Sequence, residues 1–127
     1  MKLTHINASD APQPAPSYVQ AALIENPTAW LMVSGQIPLT PTGEVPADAL
    51  SQARLVWANI DAQLRAAGMT KDNLVKVTIY LSSRDIIPAY REARDAYLEG
   101  RPVALTCIIT DIFDSNWLLE IEAVAAR

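Results

Sequence analysis

The last quarter of the chain, residues 102–126, limits the possible folds more than any other segment, because it has the pattern of two strands that need cover. It reads PVALTCIIT, then DIFDSN, then WLLEIEAVA. The first strand carries apolar residues on both faces, which is typical of a strand buried on both sides of its sheet. The second alternates: its odd positions from Trp117 are apolar, and its even face carries Glu120 and Glu122. The segment therefore predicts a sheet with two covered faces.

A chain of 127 residues can supply helices for one face of such a sheet. The simplest cover for the other face is a second copy of the same chain. The two glutamates share that face, with Cβ atoms about 7 Å apart along an extended strand. They are therefore candidates for a site between subunits.

Composition favours one soluble domain, residues 1–127, in the cytoplasm. No apolar run approaches the length of a membrane span, and the first residues form no hydrophobic signal segment. The net charge of -4 and the absence of a Lys/Arg cluster argue against nucleic-acid partners. With Cys107 as the only cysteine and His5 as the only histidine, neither a disulfide within the chain nor a common N/S metal site is expected.

Periodicity predicts an α+β fold with the order β-β-β-α-β-α-β-β. Each β-α-β crossover is expected to be right-handed, which places both helices on one face of one mixed sheet. We expect the second and third strands to form a hairpin with a turn at Asn26-Pro27-Thr28. The predicted elements before the final pair are strands at 2–6, 18–25, 30–35 and 74–81, and helices at about 46–67 and 86–98.

Four stretches resemble the RidA/YjgF family across essentially the whole chain. They are APSYVQAA, VSGQIPLTPTGEVPAD, LVKVTIYL and LLEIEAVA. The resemblance implies a chorismate-mutase-like fold and a homotrimer whose sheets form a central barrel. It also implies a cleft at each of the three subunit interfaces, where a small metabolite would bind.

The resemblance further implies an activity without a metal or organic cofactor. Well-characterised family members hydrolyse enamine or imine intermediates, such as 2-aminoacrylate and 2-iminobutanoate, to 2-oxo acids and ammonia. By position in the family motifs, Glu120 matches the carboxylate that positions water, and Tyr18 matches the tyrosine that lines the cleft. Ser34 and Gly35 match the segment beside it. The alternative interpretations are an ion pair within the trimer for Glu120, packing for Tyr18 and a local turn for Ser34.

The chain departs from the family at the group that binds the substrate carboxylate. Deaminating members have an arginine two residues after the proline that opens the penultimate strand, and here that residue is Ala104. We expect backbone groups from Ala104 through Thr106 to Cys107 to replace part of this clamp. Arg101 is one residue before the proline and could bend in as a substitute, or remain solvated. Cys107 itself is expected to behave as a small hydrophobe rather than a nucleophile.

Two functions from different classes follow. The first is an imine or enamine hydrolase whose substrate is non-standard or whose activity is weak. The second is a non-catalytic trimer that binds a small metabolite or a protein in the same cleft. Nuclease activity has also been attached to the family, but the acidic charge makes it the weakest hypothesis.

Overall fold

A computed structural model describes all 127 residues, Met1–Arg127, and contains the predicted order of six strands and two α-helices. Short 3-10 turns precede β4 and α2. Neither α-helix combines the length and apolar character needed to cross a bilayer. The elements are β1 Lys2–Ile6, β2 Ala21–Glu25, β3 Trp30–Gln36, α1 Ala49–Ala66, β4 Leu74–Leu81, α2 Ile87–Leu98, β5 Ala104–Ile109 and β6 Leu119–Ala126.

The α+β class and a mixed sheet are confirmed, but the sheet holds four of the six strands. Its order is β3-β6-β4-β5, in which β4 and β5 run parallel and the other neighbours antiparallel. Strands β1 and β2 form a separate antiparallel ribbon. A single bridge between Val19 and Ala104 connects the segment before β2 to the edge of the main sheet.

The predicted hairpin of the second and third strands is wrong. β2 pairs with β1, whereas β3 pairs with β6. The chain after the Asn26 turn is bound to the C-terminus instead, because the amides of Thr28 and Ala29 donate to the carbonyl of Arg127 and the Arg127 amide donates to Ala29. This pairing brings the buried side chain of Val33 over the core that the helices cover.

Both helices cover the same face of the main sheet, as predicted. Asp48 caps α1 by accepting a hydrogen bond from the Ser51 amide at 2.9 Å. The helices then bury their apolar sides against the odd-numbered residues of β4 and β6. The residues at the centre of this core are Val56, Trp57, Ile60, Leu64, Val77, Ile79, Leu81, Leu119 and Ile121.

No element of the chain covers the other face of the main sheet, which we call the open face. It exposes Trp30, Met32 and Ile108, with 49%, 67% and 44% of their surfaces accessible. The prediction that β5 is covered on both sides therefore does not hold within one chain, since its last four residues are exposed. Any cover must come from outside the chain, and the trimer with its central barrel stays a prediction.

Candidate functional site

A cavity of about 350 Å³ lies at the β5 edge of the main sheet, between β5, α2 and the segment before β2. We call it the α2–β5 cavity. The Val19 amide donates to the carbonyl of Val103 at 3.0 Å, and this bond holds the neighbouring Tyr18 beside β5. Cys107 pairs with the buried Ile79 in the parallel register, so its side chain points to the helix side of the sheet. The fold thus brings two predicted site residues, Tyr18 and Cys107, to one cavity.

The thiol of Cys107 is held in its neutral form. Desolvation raises its pKa above the ordinary value, and the nearby charges of Arg94 and Arg91 lower it by less. A thiolate, not a thiol, is the nucleophile in cysteine catalysis. Cys107 is therefore suited to lining the cavity rather than to attacking a substrate.

Helix α2 contributes two arginines to this cavity that the sequence interpretation did not assign. Arg94 is buried, with 8% of its surface accessible, and its Nη1 lies 3.5 Å from the hydroxyl of Tyr90. Its Nε donates to Asp95 at 3.0 Å. Burial raises the pKa of Tyr90 to about 12, so the phenol is neutral. A signal was present in the sequence, because Arg94 is next to Ala93 on the inward side of the predicted helix.

Arg91 is the second of these arginines, and it lies at the exposed side of the same cavity. No hydrogen bond or ion pair occupies its guanidinium within the chain, in contrast to Arg94. All five of its donors are therefore available to a ligand.

A second group of predicted residues lies at β3 and β6. A bulge in β3 between Val33 and Gln36 places Ser34 and Gly35 in the extra length of strand. The side chain of Glu120 lies directly over Gly35: a Cβ at that glycine would be 2.0 Å from Oε2 and 2.7 Å from Cδ. Gly35 is thus needed because the carboxylate fills the space that a side chain would take.

Glu120 and Glu122 differ in their partners, although both project from the even face of β6. Glu122 accepts a hydrogen bond from the Tyr80 hydroxyl at 2.6 Å. No side chain of the same chain pairs with Glu120, which is half-buried. Ser34 is exposed and lines a separate cavity of about 430 Å³ beside the end of α1.

The two groups of residues lie at opposite edges of one sheet. Tyr18 and Cys107 are at the β5 edge, whereas Ser34 and Gly35 are at the β3 edge with Glu120 on the adjacent strand. Three strand spacings separate the edges, which amounts to about 14 Å. A single chain therefore does not bring all of the predicted site residues together.

Ala104 and Thr106 point away from the α2–β5 cavity, and Leu105 is the residue that lines it beside Cys107. Alternation along β5 explains this, since residues 105 and 107 share the helix side and 104 and 106 the open face. Thr106 Oγ1 accepts a hydrogen bond from Lys76 Nζ at 2.7 Å. A substrate-binding role for Ala104 and Thr106 stays a prediction, and a guanidinium at 104 would emerge on the open face.

Arg101 is occupied elsewhere. Its guanidinium pairs with Asp72 and donates to the carbonyl of Leu98 at 3.2 Å. It lines a different depression, next to Pro16 and Gly100. The chain also contains no group of three or more His, Cys, Asp or Glu side chains arranged to hold a metal ion.

Comparison with known proteins gives a consistent result. Residues 8–127 match the family described as endoribonuclease L-PSP. A protein of Escherichia coli K12 named 2-iminobutanoate/2-iminopropanoate deaminase is 32% identical over 126 residues, which cover 96% of each chain. A RutC family protein of Haemophilus influenzae is 34% identical over 127 residues, covering 96% of this chain and 95% of that one. The crystal structure of YyfB from Yersinia pestis, described as a Rid-family protein of unknown function, matches with a TM-score of 0.86 and 27% identity over 100% of both chains.

Proposed function

We propose that this chain, which belongs to the RidA/YjgF family described as endoribonuclease L-PSP, hydrolyses an enamine or imine metabolite to an oxo compound and ammonia. The observation that carries the proposal is the carboxylate of Glu120, which lies over Gly35 without a partner in its own chain. A half-buried carboxylate with no ion pair is available to bind and deprotonate a water molecule. The deaminase name of the Escherichia coli relative supports the reaction class.

The complete site in this proposal is formed by two subunits. The β5 edge of one subunit, with Tyr18 and Cys107, would face the β3 edge of another, with Ser34, Gly35 and Glu120. Three copies arranged in this way close a ring and create three equivalent clefts. The exposed side chains of Trp30, Met32 and Ile108 on the open face support such an assembly, because contact with other copies would remove this apolar surface from water.

In the proposed mechanism, Glu120 of the partner subunit orients water toward the carbon of the C=N bond. The water oxygen bonds to that carbon while one water proton passes to the carboxylate and then to the nitrogen. In the resulting carbinolamine, the hydroxyl proton passes through the same carboxylate to the nitrogen, the C–N bond breaks, and ammonia leaves as the C=O bond forms. Water and imine give an oxo compound and ammonia, so no oxidant or further reactant is required. Tyr18 and Ser34 shape the cleft and hold the substrate near this water.

The hydrolase proposal is tested with Glu120→Gln, which keeps the shape of the side chain and removes its basicity. The assay is ammonia release from enzymatically generated 2-aminoacrylate and 2-iminobutanoate. We expect kcat to fall by about 100-fold or more, as is usual when a general base is lost. Glu122→Gln is the matched control on the same face of the same strand and should retain most of the activity. Unchanged turnover in Glu120→Gln would remove this carboxylate from the mechanism.

A second candidate function is a non-catalytic trimer that binds a small metabolite or a protein. The observation that favours it is the apolar Leu105 beside Cys107, where β5 offers the cavity no charged group. The same observation supports a non-standard substrate or weak activity if the protein is an enzyme. Wild-type protein that binds 2-oxo acids but releases no ammonia from either imine would support this second function.

A ribonuclease function has less support, although the family description contains the term. The net charge is -4, and the only histidine, His5, is exposed on β1. Proteins that bind RNA through its phosphates need clustered Lys and Arg.

A further inference from the structure

The α2–β5 cavity takes its positive charge from the helix rather than from the strand. Arg91 and Arg94 are its two charged lining residues, and no carboxylate lines it. Asp95 pairs with Arg94 at 3.0 Å and offsets that charge, so the uncompensated charge belongs to Arg91. The β5 side contributes only Leu105 and Cys107.

The two arginines differ in how firmly they are held. Arg94 is fixed by Tyr90, by Asp95 and by its guanidinium lying 5.4 Å from the centre of the Tyr90 ring. Arg91 is one turn away on the same helix and has no partner. The fixed guanidinium of Arg94 and the free guanidinium of Arg91 both line the cavity, so an anion inside it can approach both positive charges.

We propose that Arg91, backed by Arg94, binds the carboxylate of the substrate from α2 and so replaces the guanidinium that β5 lacks. This inference rests on the proposed function and specifies its substrate class, a small 2-imino or 2-enamino acid. A volume of about 350 Å³ is at the lower end of ligand pockets and suits a metabolite of a few heavy atoms. Tyr18 and Cys107 flank the bound acid, and the adjacent C=N carbon faces the open mouth of the cavity.

The inference is tested by binding as well as by turnover. The probe is 2-oxobutanoate, with its uncharged methyl ester as the second ligand, titrated into the wild type, Arg91→Ala and Arg91→Lys. We expect the Kd of the acid to rise about 10- to 100-fold in Arg91→Ala, the usual effect of losing a charge-assisted hydrogen bond. Arg91→Lys should recover part of that affinity, because lysine keeps the charge but not the bidentate fork. The ester should bind all three proteins equally and weakly.

The matched control is Arg84→Ala, which removes the same charge from an exposed position just before α2 and outside the cavity. It should bind the acid like the wild type. A wild type that does not bind 2-oxobutanoate, or an Arg91→Ala protein that binds it equally well, would overturn the inference.

The two proposals fail in different ways. If the acid binds through Arg91 but no ammonia is released from any imine, the anion site stands and the hydrolase assignment fails. If Arg91→Ala and the wild type release ammonia with equal kcat/KM, the hydrolase assignment stands and the α2 clamp is wrong.

Discussion

The side chain of Glu120 on β6 fills the space that a side chain at Gly35 on the neighbouring strand β3 would take. The backbone of Gly35 does not have a positive φ, so the need for glycine comes from the neighbouring carboxylate and not from backbone strain. The group it would meet is the far end of a flexible side chain, which can move aside. A methyl group at this position should therefore displace Glu120 and leave the strand intact.

The Gly35→Ala variant tests this arrangement. We expect ammonia release to fall at least 10-fold, because the carboxylate loses its position, while the free energy of unfolding changes by less than about 1 kcal/mol. Steady-state assays and urea denaturation measure the two effects.

Gly43→Ala is a control for which we expect the opposite pattern, lower stability with unchanged activity. Gly43 has a φ of 92° and no neighbouring atom within 4 Å of an added Cβ. Alanine there should cost about 1 kcal/mol or more through backbone strain while activity is kept. Equal activity in Gly35→Ala and the wild type would contradict the proposed position of Glu120.

At the scale of elements, Gln52 links the start of α1 to the loop between β5 and β6. It is buried, and its Nε2 donates to the carbonyls of Pro46 at 2.8 Å and Asn116 at 3.0 Å. Its Oε1 accepts from the amide of Leu118 at 2.8 Å. One side chain thus satisfies three backbone groups and orients the strand that carries Glu120.

The Gln52→Leu variant should lower the free energy of unfolding by about 1–3 kcal/mol, since the half-buried Pro46 and Leu118 and the exposed Asn116 lose the side chain that pairs with their backbone groups. Urea denaturation at one fixed protein concentration is the appropriate measurement, because assembly would otherwise contribute to the result. Gln63→Leu, at an exposed position of the same helix, should change stability by less than about 0.5 kcal/mol. Similar losses of unfolding free energy in Gln52→Leu and Gln63→Leu would show that the hydrogen bonds of Gln52 make no particular contribution to stability.

At the scale of the whole molecule, the site can be completed only if copies of the chain associate. In the proposed trimer this association buries the open face. Ile108 lies on this face, paired in register with Tyr80, whose hydroxyl bonds to Glu122. A carboxylate at position 108 would add negative charge in the same row of the sheet as Glu120, two strands away, on a surface that the proposed trimer buries. Burying such an unpaired charge is costly.

We expect the wild type to sediment as a trimer and Ile108→Glu to dissociate to monomers with an unchanged circular dichroism spectrum. Ammonia release should be lost with the trimer. Leu23→Glu is the control, because Leu23 has a similar exposure of 47% but lies on the β1–β2 ribbon. A wild type that stays monomeric at micromolar concentration yet is fully active would disprove the two-subunit site.

Local patterns in the sequence predicted the elements whose evidence is contiguous along the chain. The alternation of LVKVTIYL predicts β4 over its observed bounds, and the spacing of apolar residues predicts α1 within a few residues, although the helix begins after Asp48 and not at Pro46. Four motifs together indicated the family, which the comparisons confirm. These signals need no knowledge of which distant segments meet.

Only the tertiary structure decided the strand partners, and with them the layout of the site. β3 pairs with β6 rather than with β2, and this pairing buries Val33 in the core under the helices. The residues of β6 are almost a hundred positions away along the chain, so no local pattern could predict the pairing. The position of β4 between β6 and β5 separates Glu120 from Cys107, and the position of α2 beside β5 brings Arg91 and Arg94 to the cavity. Periodicity states which face of an element is apolar, but the neighbour of each face is set by the packing of the whole chain.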